Sequence, residues 1–177
     1  MNFNNIEGHF NFSQVYDEQV SKAVDGSNFL EIGCWLGRST AYLAEAIKKS
    51  KKDIKVHVID TFMGEGMTEA KNSFRHEFEK NMKDCGVYDI IEIHEGPSEI
   101  QIDLLKDDFF DFIYIDGLHT YDNVKSDIIK SSLKLKNNRT LAGHDYQALE
   151  VKNAVDELLG FENLSFFQNT WIYNLKK

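Results

Sequence analysis

Phe109-Phe110-Asp111-Phe112-Ile113-Tyr114-Ile115-Asp116-Gly117-Leu118-His119-Thr120-Tyr121 is the stretch that decides the fold. Its first seven residues put apolar side chains on both faces of a pleat. That pattern belongs to the centre of a parallel sheet, which is covered on both sides. Asp116 follows the apolar run, so its carboxylate emerges at the mouth of the sheet, with His119 three residues further on. The rest of the chain repeats the alternation of short apolar strand and helix.

Upstream, residues 13–25 place Tyr16, Val20, Ala23 and Val24 at helical spacing, with Ser13 as the expected N-cap and Gly26 as the stop. Phe29 to Ile32 reads as a short buried strand, and residues 38–49 as a helix with Thr40, Leu43, Ala44 and Ile47 on one side. A strand over Lys55–Ile59 leads to a helix over Thr68–Lys83. A strand over Ile90–Ile93 leads to a short helix over 98–106. Downstream, a helix over 121–134, a strand near 139–143 and a helix near 149–159 complete the series. Leu164–Phe167 and Trp171–Leu175, joined at Gln168-Asn169, form a hairpin. The pattern predicts an α/β, Rossmann-like, doubly wound and mostly parallel sheet, closed by a C-terminal antiparallel hairpin.

One Pro, eleven Gly and 177 residues leave no room for a flexible linker. The expectation is one domain over 1–177, with a helical segment over 1–27 and the hairpin over 161–177. Hydrophobic residues at 42% and aromatics at 12% suffice for a core. Twenty basic against twenty-nine acidic side chains give a net charge of −9, which repels phosphate backbones and argues against a nucleic-acid partner. Lys48, Lys49, Lys51 and Lys52 read as cations at a helix end. No apolar run reaches membrane length and the N-terminus lacks a signal-peptide pattern, so no membrane partner and a cytoplasmic location are expected. Cys34 and Cys85, with no Cys-x-x-Cys, argue against both a disulfide framework and structural zinc.

Ligands of such sheets sit outside the carboxyl ends of the strands, which directs attention to the residues just after each strand. The first strand ends in Glu31-Ile32-Gly33-Cys34-Trp35-Leu36-Gly37-Arg38-Ser39-Thr40. Gly33 permits a tight turn and close approach of a ligand, Gly37 lets the helix start close to the strand, and the amides at that helix start suit an anion. The second strand ends in Asp60-Thr61, and an acid there can accept both hydroxyls of a ribose; a helix cap or a surface acid is the plain alternative. Ser98, after the third strand, caps a helix or meets a base. His144-Asp145 after the fifth strand joins Asp116 and His119 in one cleft, an arrangement that suits a divalent metal or a general base.

These strand ends resemble a class I S-adenosylmethionine-dependent methyltransferase, specifically the small-molecule O-methyltransferase group similar to macrocin-like sugar enzymes. The matching elements are E-x-G-x-x-x-G at Glu31–Gly37, I-D-G-x-H-x-Y at Ile115–Tyr121 and H-D-Y at His144–Tyr146, with Val151 and Ala154-Val155 in the following helix. The resemblance implies that Glu31, Gly33, Cys34, Gly37 and Ser39 line the methionine part of S-adenosylmethionine. It places Asp60 on the ribose, Thr61 and Ser98 beside the adenine, and Asp116 beside the sulfonium. It further implies Mg2+ held by Asp116 and Asp145, with His144 standing where some relatives carry a second acid, and His119 as the base. The acceptor implied is a small hydroxylated molecule such as a sugar, enclosed by residues 1–20 and the Phe62–Asn72 loop. A homo-oligomer is left open. Three other readings compete: a nicotinamide-dependent oxidoreductase, weakened because Leu36 breaks G-x-G-x-x-G; a nucleic-acid or protein methyltransferase, weakened because no Asn/Asp-Pro-Pro-Tyr tetrapeptide occurs; and a non-catalytic S-adenosylmethionine-binding relative, weakened because Asp60, Asp116, His119 and Asp145 are all present.

Overall fold

The computed structural model describes residues 2–64 and 73–177. Its helices and strands run α1 (Ser13–Lys22), β1 (Ser27–Ile32), α2 (Arg38–Ser50), β2 (Ile54–Asp60), α3 (Arg75–Asp84), β3 (Ile91–Glu95), α4 (Ser98–Gln101), β4 (Phe110–Ile115), α5 (Tyr121–Lys134), β5 (Leu135–Gly143), α6 (Leu149–Leu159), β6 (Leu164–Phe167) and β7 (Thr170–Asn174). They build one seven-stranded sheet in the order β3-β2-β1-β4-β5-β7-β6. The first five strands are parallel, and β7 runs antiparallel between β5 and β6. The expected doubly wound sheet with a closing hairpin is therefore observed. Every residue of β4 is buried, as its apolar run requires.

Each face of the sheet has its own core. On one face Phe12, Tyr16, Val56, Phe78, Met82 and Tyr114 pack beneath α1, α2 and α3. On the other Leu30, Ile113, Ile128, Val155 and Trp171 pack beneath α5 and α6. Asp111, which interrupts the apolar run of β4, is buried but paired with Lys136 at 2.8 Å and Arg139 at 3.1 Å. That pairing offsets the cost of its desolvation.

Several boundaries differ from the sequence reading. Helix α1 ends at Lys22, and Ser13 is its first residue; the cap position belongs to Phe12, which makes no side-chain capping bond. Phe12 is instead driven inward, stacked on Tyr114 at 4.4 Å between ring centres. At the other end of α1, Lys52 donates to the carbonyls of Val20 and Ser21 at 2.8 and 2.7 Å. The expected helix over 98–106 divides into α4 and a 3-10 turn over Ile102–Leu104. Helix α3 starts at Arg75, and the 68–72 part of the helix expected there lies outside the described residues.

Three elements meet at one buried carboxylate. Glu31, at the end of β1, is fully buried, and Tyr16 of α1 donates to it at 2.9 Å. The hydroxyl of Thr40 in α2 donates to its other oxygen. Burial raises the Glu31 carboxyl to about 7, opposed by the hydroxyls that hydrogen-bond it. A folded-state value above the unfolded one means that the native state binds this proton more tightly. Its contribution to stability is complete below about pH 4.5 and is lost as pH rises to about 7. Glu31→Gln stays neutral throughout. The stability of the natural protein relative to Glu31→Gln should therefore fall by about 3 kcal/mol across that window, as read by urea unfolding at several pH values. A pH-independent difference would contradict this assignment.

Candidate active site

At the carboxyl ends of the parallel strands lies a cavity of about 840 Å³. Backbone bonds that continue the ladders past the strands place its walls: Gly33 N–H donates to Ile59 at 2.8 Å, Asp116 N–H to Ile32 at 2.7 Å, and His144 N–H to Ile115 at 3.0 Å. Gly33, Cys34, Ser39, Asp60, Thr61, Ser98, Asp116, His119, His144 and Asp145 all line it. Glu31 and Gly37 do not. Glu31 is consumed by Tyr16 and Thr40 beneath the cavity floor. At Gly37 a Cβ would lie 2.5 Å from Met82 and 2.8 Å from Phe78, so this glycine admits α3 against the start of α2. Gly33 has φ +83°, and a Cβ there would lie 2.1 Å from the carbonyl oxygen of Asp116. Only glycine lets these two strand ends touch.

Asp60 holds the Gly33 loop. One of its oxygens accepts the N–H groups of Cys34 at 2.7 Å and Trp35 at 2.8 Å, and the other accepts that of Phe62 at 2.7 Å. A carboxylate offers about four lone-pair sites, and the buried Cys34 thiol also hydrogen-bonds this one. Trp35 and Phe62 both have positive φ, at 45° and 54°, a strained backbone for such side chains. Ser98 is the first residue of α4, where Pro97 takes the cap position. The hydroxyl of Ser98 hydrogen-bonds the buried Asp127 instead, whose carboxyl burial raises to about 6. No helix-capping bond from Ser98 is made.

Asp116, His119, His144 and Asp145 converge, although they come from two strand ends. His119 Nε2 lies 2.9 Å from Asp145 Oδ2 and 3.6 Å from Asp116 Oδ1. His144 Nδ1 lies 3.3 Å from Asp145 Oδ2 and 3.8 Å from Asp116 Oδ1. The hydrogen bonds from His119 and His144 hold the Asp145 carboxyl well below the usual carboxylate range. Burial would lower His144, but its hydrogen bond to Asp145 and the charge of Asp116 outweigh that and raise it. Asp116, His144 and Asp145 also offer three ligand atoms within 4.8 Å of one another. His144 Nε2 is 3.0 Å from Asn11 Oδ1, which ties the N-terminal segment to this cluster.

Several supports of this site carry no sequence signal. Asp145 has φ +53°, and Asn169 in the hairpin turn holds it by donating to Oδ1 at 2.9 Å. Arg38 donates to the carbonyl of Gly8 at 2.7 Å, drawing the N-terminal segment over the cavity mouth. Glu7, Gly8, His9 and Asn11 then complete the wall, as expected of residues 1–20. Gly64 lines the cavity too; the remainder of the expected enclosing loop, residues 65–72, lies outside the described residues. The motif tyrosines are structural ties: Tyr121 of α5 donates to Glu157 of α6, and Tyr146, in the turn before α6, donates to Asp156.

No curated protein sequence matches significantly. Among solved structures, the O-methyltransferase NovP superposes with a TM-score of 0.75 at 17% identity, over 93% of this chain and 79% of that one. CalS11, a TDP-rhamnose 3'-O-methyltransferase of calicheamicin biosynthesis, gives 0.67 at 13% identity over 93% and 78%. An O-methyltransferase from Bacillus cereus, solved with S-adenosylhomocysteine, gives 0.66 at 16% identity over 97% and 86%. These likenesses establish a shared fold. A family described as Methyltransferase domain matches residues 30–146, the span from the β1 strand end to the His144-Asp145-Tyr146 turn, and the chain belongs to that methyltransferase family.

Proposed function

We propose that the chain transfers the methyl group of S-adenosylmethionine to a hydroxyl oxygen of a small molecule such as a sugar. The observation that carries this reading is the convergence of Asp116, His119, His144 and Asp145 in the cavity that the Asp60-clamped Gly33 loop also lines. The Gly33 loop suits a nucleoside and an amino acid, and the His–Asp cluster suits an ionising hydroxyl. One of the solved structures of this fold is by its description a TDP-rhamnose 3'-O-methyltransferase, which supports the acceptor class.

The residues fit the cofactor. About 840 Å³ is room for a ligand of its size with part of an acceptor. The first amides of α2, at Arg38 and Ser39, face an anion such as an amino-acid carboxylate. Asp60 would take a ribose hydroxyl by sharing an oxygen with its amide donors or by displacing the Cys34 thiol, and not both hydroxyls as expected. S-adenosylmethionine, when bound, supplies a methyl already activated on a sulfonium. What remains for the chain is alignment and a proton. His119 takes the hydroxyl proton, and the positive charge it gains is stabilised by Asp145 at 2.9 Å and Asp116 at 3.6 Å from Nε2.

Asp116, His144 and Asp145 would hold a divalent cation, which would lower the pKa of a coordinated hydroxyl. Two carboxylates suit Mg2+, and the imidazole shifts the preference toward Mn2+. On this reading Asp145→Asn should weaken Mg2+ or Mn2+ binding by calorimetry more than it weakens S-adenosylhomocysteine binding. Equal losses of both would remove Asp145 from the metal set.

The activity itself is tested by S-adenosylhomocysteine release over a panel of sugars, nucleotide sugars and catechols. With an accepted hydroxyl, His119→Ala should lower turnover by about 10²–10⁴-fold and abolish the acidic limb of the pH–rate profile. Its affinity for S-adenosylhomocysteine should stay within about twofold. Normal turnover in that variant would overturn the role given to His119.

A further inference from the structure

A second group of metal-ligating side chains lies away from the cavity. The register of β2 with β3 pairs His57 with Glu92 and Ile59 with His94. Alternate residues of a strand share a face, so His57, Glu92 and His94 stand together on one side of the sheet, across the edge strand β3 and its neighbour. His57 Nδ1 is 3.1 Å from His94 Nε2. Glu92 straddles them, with one carboxylate oxygen 3.8 Å from His57 Nδ1 and the other 3.8 Å from His94 Nε2. None of the three lines the cavity, and the cluster shares no residue with the Asp116 group.

We propose that His57, Glu92 and His94 form a binding site for an imidazole-preferring divalent cation of the Zn2+ class. Imidazole nitrogens bind Zn2+ at about 2.0–2.1 Å, so two nitrogens 3.1 Å apart subtend about 98° at a shared ion, near the tetrahedral value. The carboxylate completes a three-ligand set and leaves a fourth position toward solvent, because Glu92 is 62% exposed. His57 Nε2 lies 3.4 Å from Asn28 Oδ1. A proton on that nitrogen leaves the Nδ1 lone pair aimed at His94, the outer-shell arrangement of metal-bound histidines. Phe109 and Phe110 pack edge-on to the His57 ring, with centroids 5.7 and 5.1 Å away, and fix its plane. Burial favours the neutral form of both imidazoles, which is the form that ligates.

Without an ion, the pair is held by one N–H···N bond, in which His94 Nε2 donates to His57 Nδ1. Binding requires His94 to carry its proton on Nδ1 instead, and the ring remains neutral. The missing thiolates argue against a Cys-based zinc site, and this site needs none. Its structural consequence is a tie across β2 and the exposed edge strand. His94 directly precedes the segment that supplies Gly96, Pro97 and Ser98 to the cavity wall.

The test uses untagged protein carrying Asp116→Asn and Asp145→Asn, so that the cleft cluster is disabled. Zn2+ titrated by calorimetry should bind one equivalent and raise the urea midpoint. Adding His94→Gln should weaken that binding at least about tenfold, since even an outer-shell loss costs 10–100-fold, and should abolish the midpoint shift. If His94→Gln does not fold, Glu92→Gln at its exposed position decides, with a severalfold loss supporting the site and unchanged affinity overturning it. Absence of Zn2+ binding in the starting variant, or affinity unaltered by His94→Gln, would also overturn it.

Discussion

The carboxylate of Asp60 is the constraint on which the site depends. Its three backbone donors come from two different segments, the Gly33 loop and the turn after β2. Two of those donors belong to Trp35 and Phe62, held at positive φ at a cost of about 1–3 kcal/mol each. Hydrogen bonds to a charged acceptor contribute about 1.5–3 kcal/mol each, which is enough to hold both strained residues. The loop is thus stiff before any ligand arrives. Stiffness matters because a methyl transfer is limited by alignment of the acceptor oxygen with the methyl carbon.

In the His–Asp cluster the same principle recurs with different parts. Asp145 is also held at positive φ, anchored on one oxygen by Asn169 and facing His119 and His144 with the other. The antiparallel hairpin, which does nothing for the parallel sheet's own crossovers, supplies that anchor. The N-terminal segment, tied by Arg38 to Gly8 and by Asn11 to His144, lines a further side. Each wall of the cavity is therefore fixed by a contact between segments distant in sequence.

That distance explains what was legible in the sequence. The strand over Phe110–Ile115 and the helices 121–134 and 149–159 were readable because burial on a fixed period leaves a local record. Asp60, Asp116, His119 and Asp145 were readable because strand ends point at one place in this fold. Glu31 and Gly37 sit within the same motif, yet one feeds a buried hydroxyl pair and the other a helix–helix contact. A motif marks both kinds of residue alike. Asn169, Arg38 and Asn11 leave no local pattern, since their partners are decided only by tertiary packing. The boundary at Ser13 failed because the aromatic side chain of Phe12 stabilises more by burial than a hydroxyl cap would there.

The central claim is that the Asp60-clamped loop binds S-adenosylmethionine. Calorimetric titration of S-adenosylhomocysteine into the natural protein and into Asp60→Ala tests it most directly, with NAD+ as the competing ligand. The account predicts one-to-one binding to the natural protein, a loss of about 1.5–3 kcal/mol in the folded variant, and weaker binding of NAD+. Preferential binding of NAD+, or equal S-adenosylhomocysteine affinity in both proteins, would contradict it.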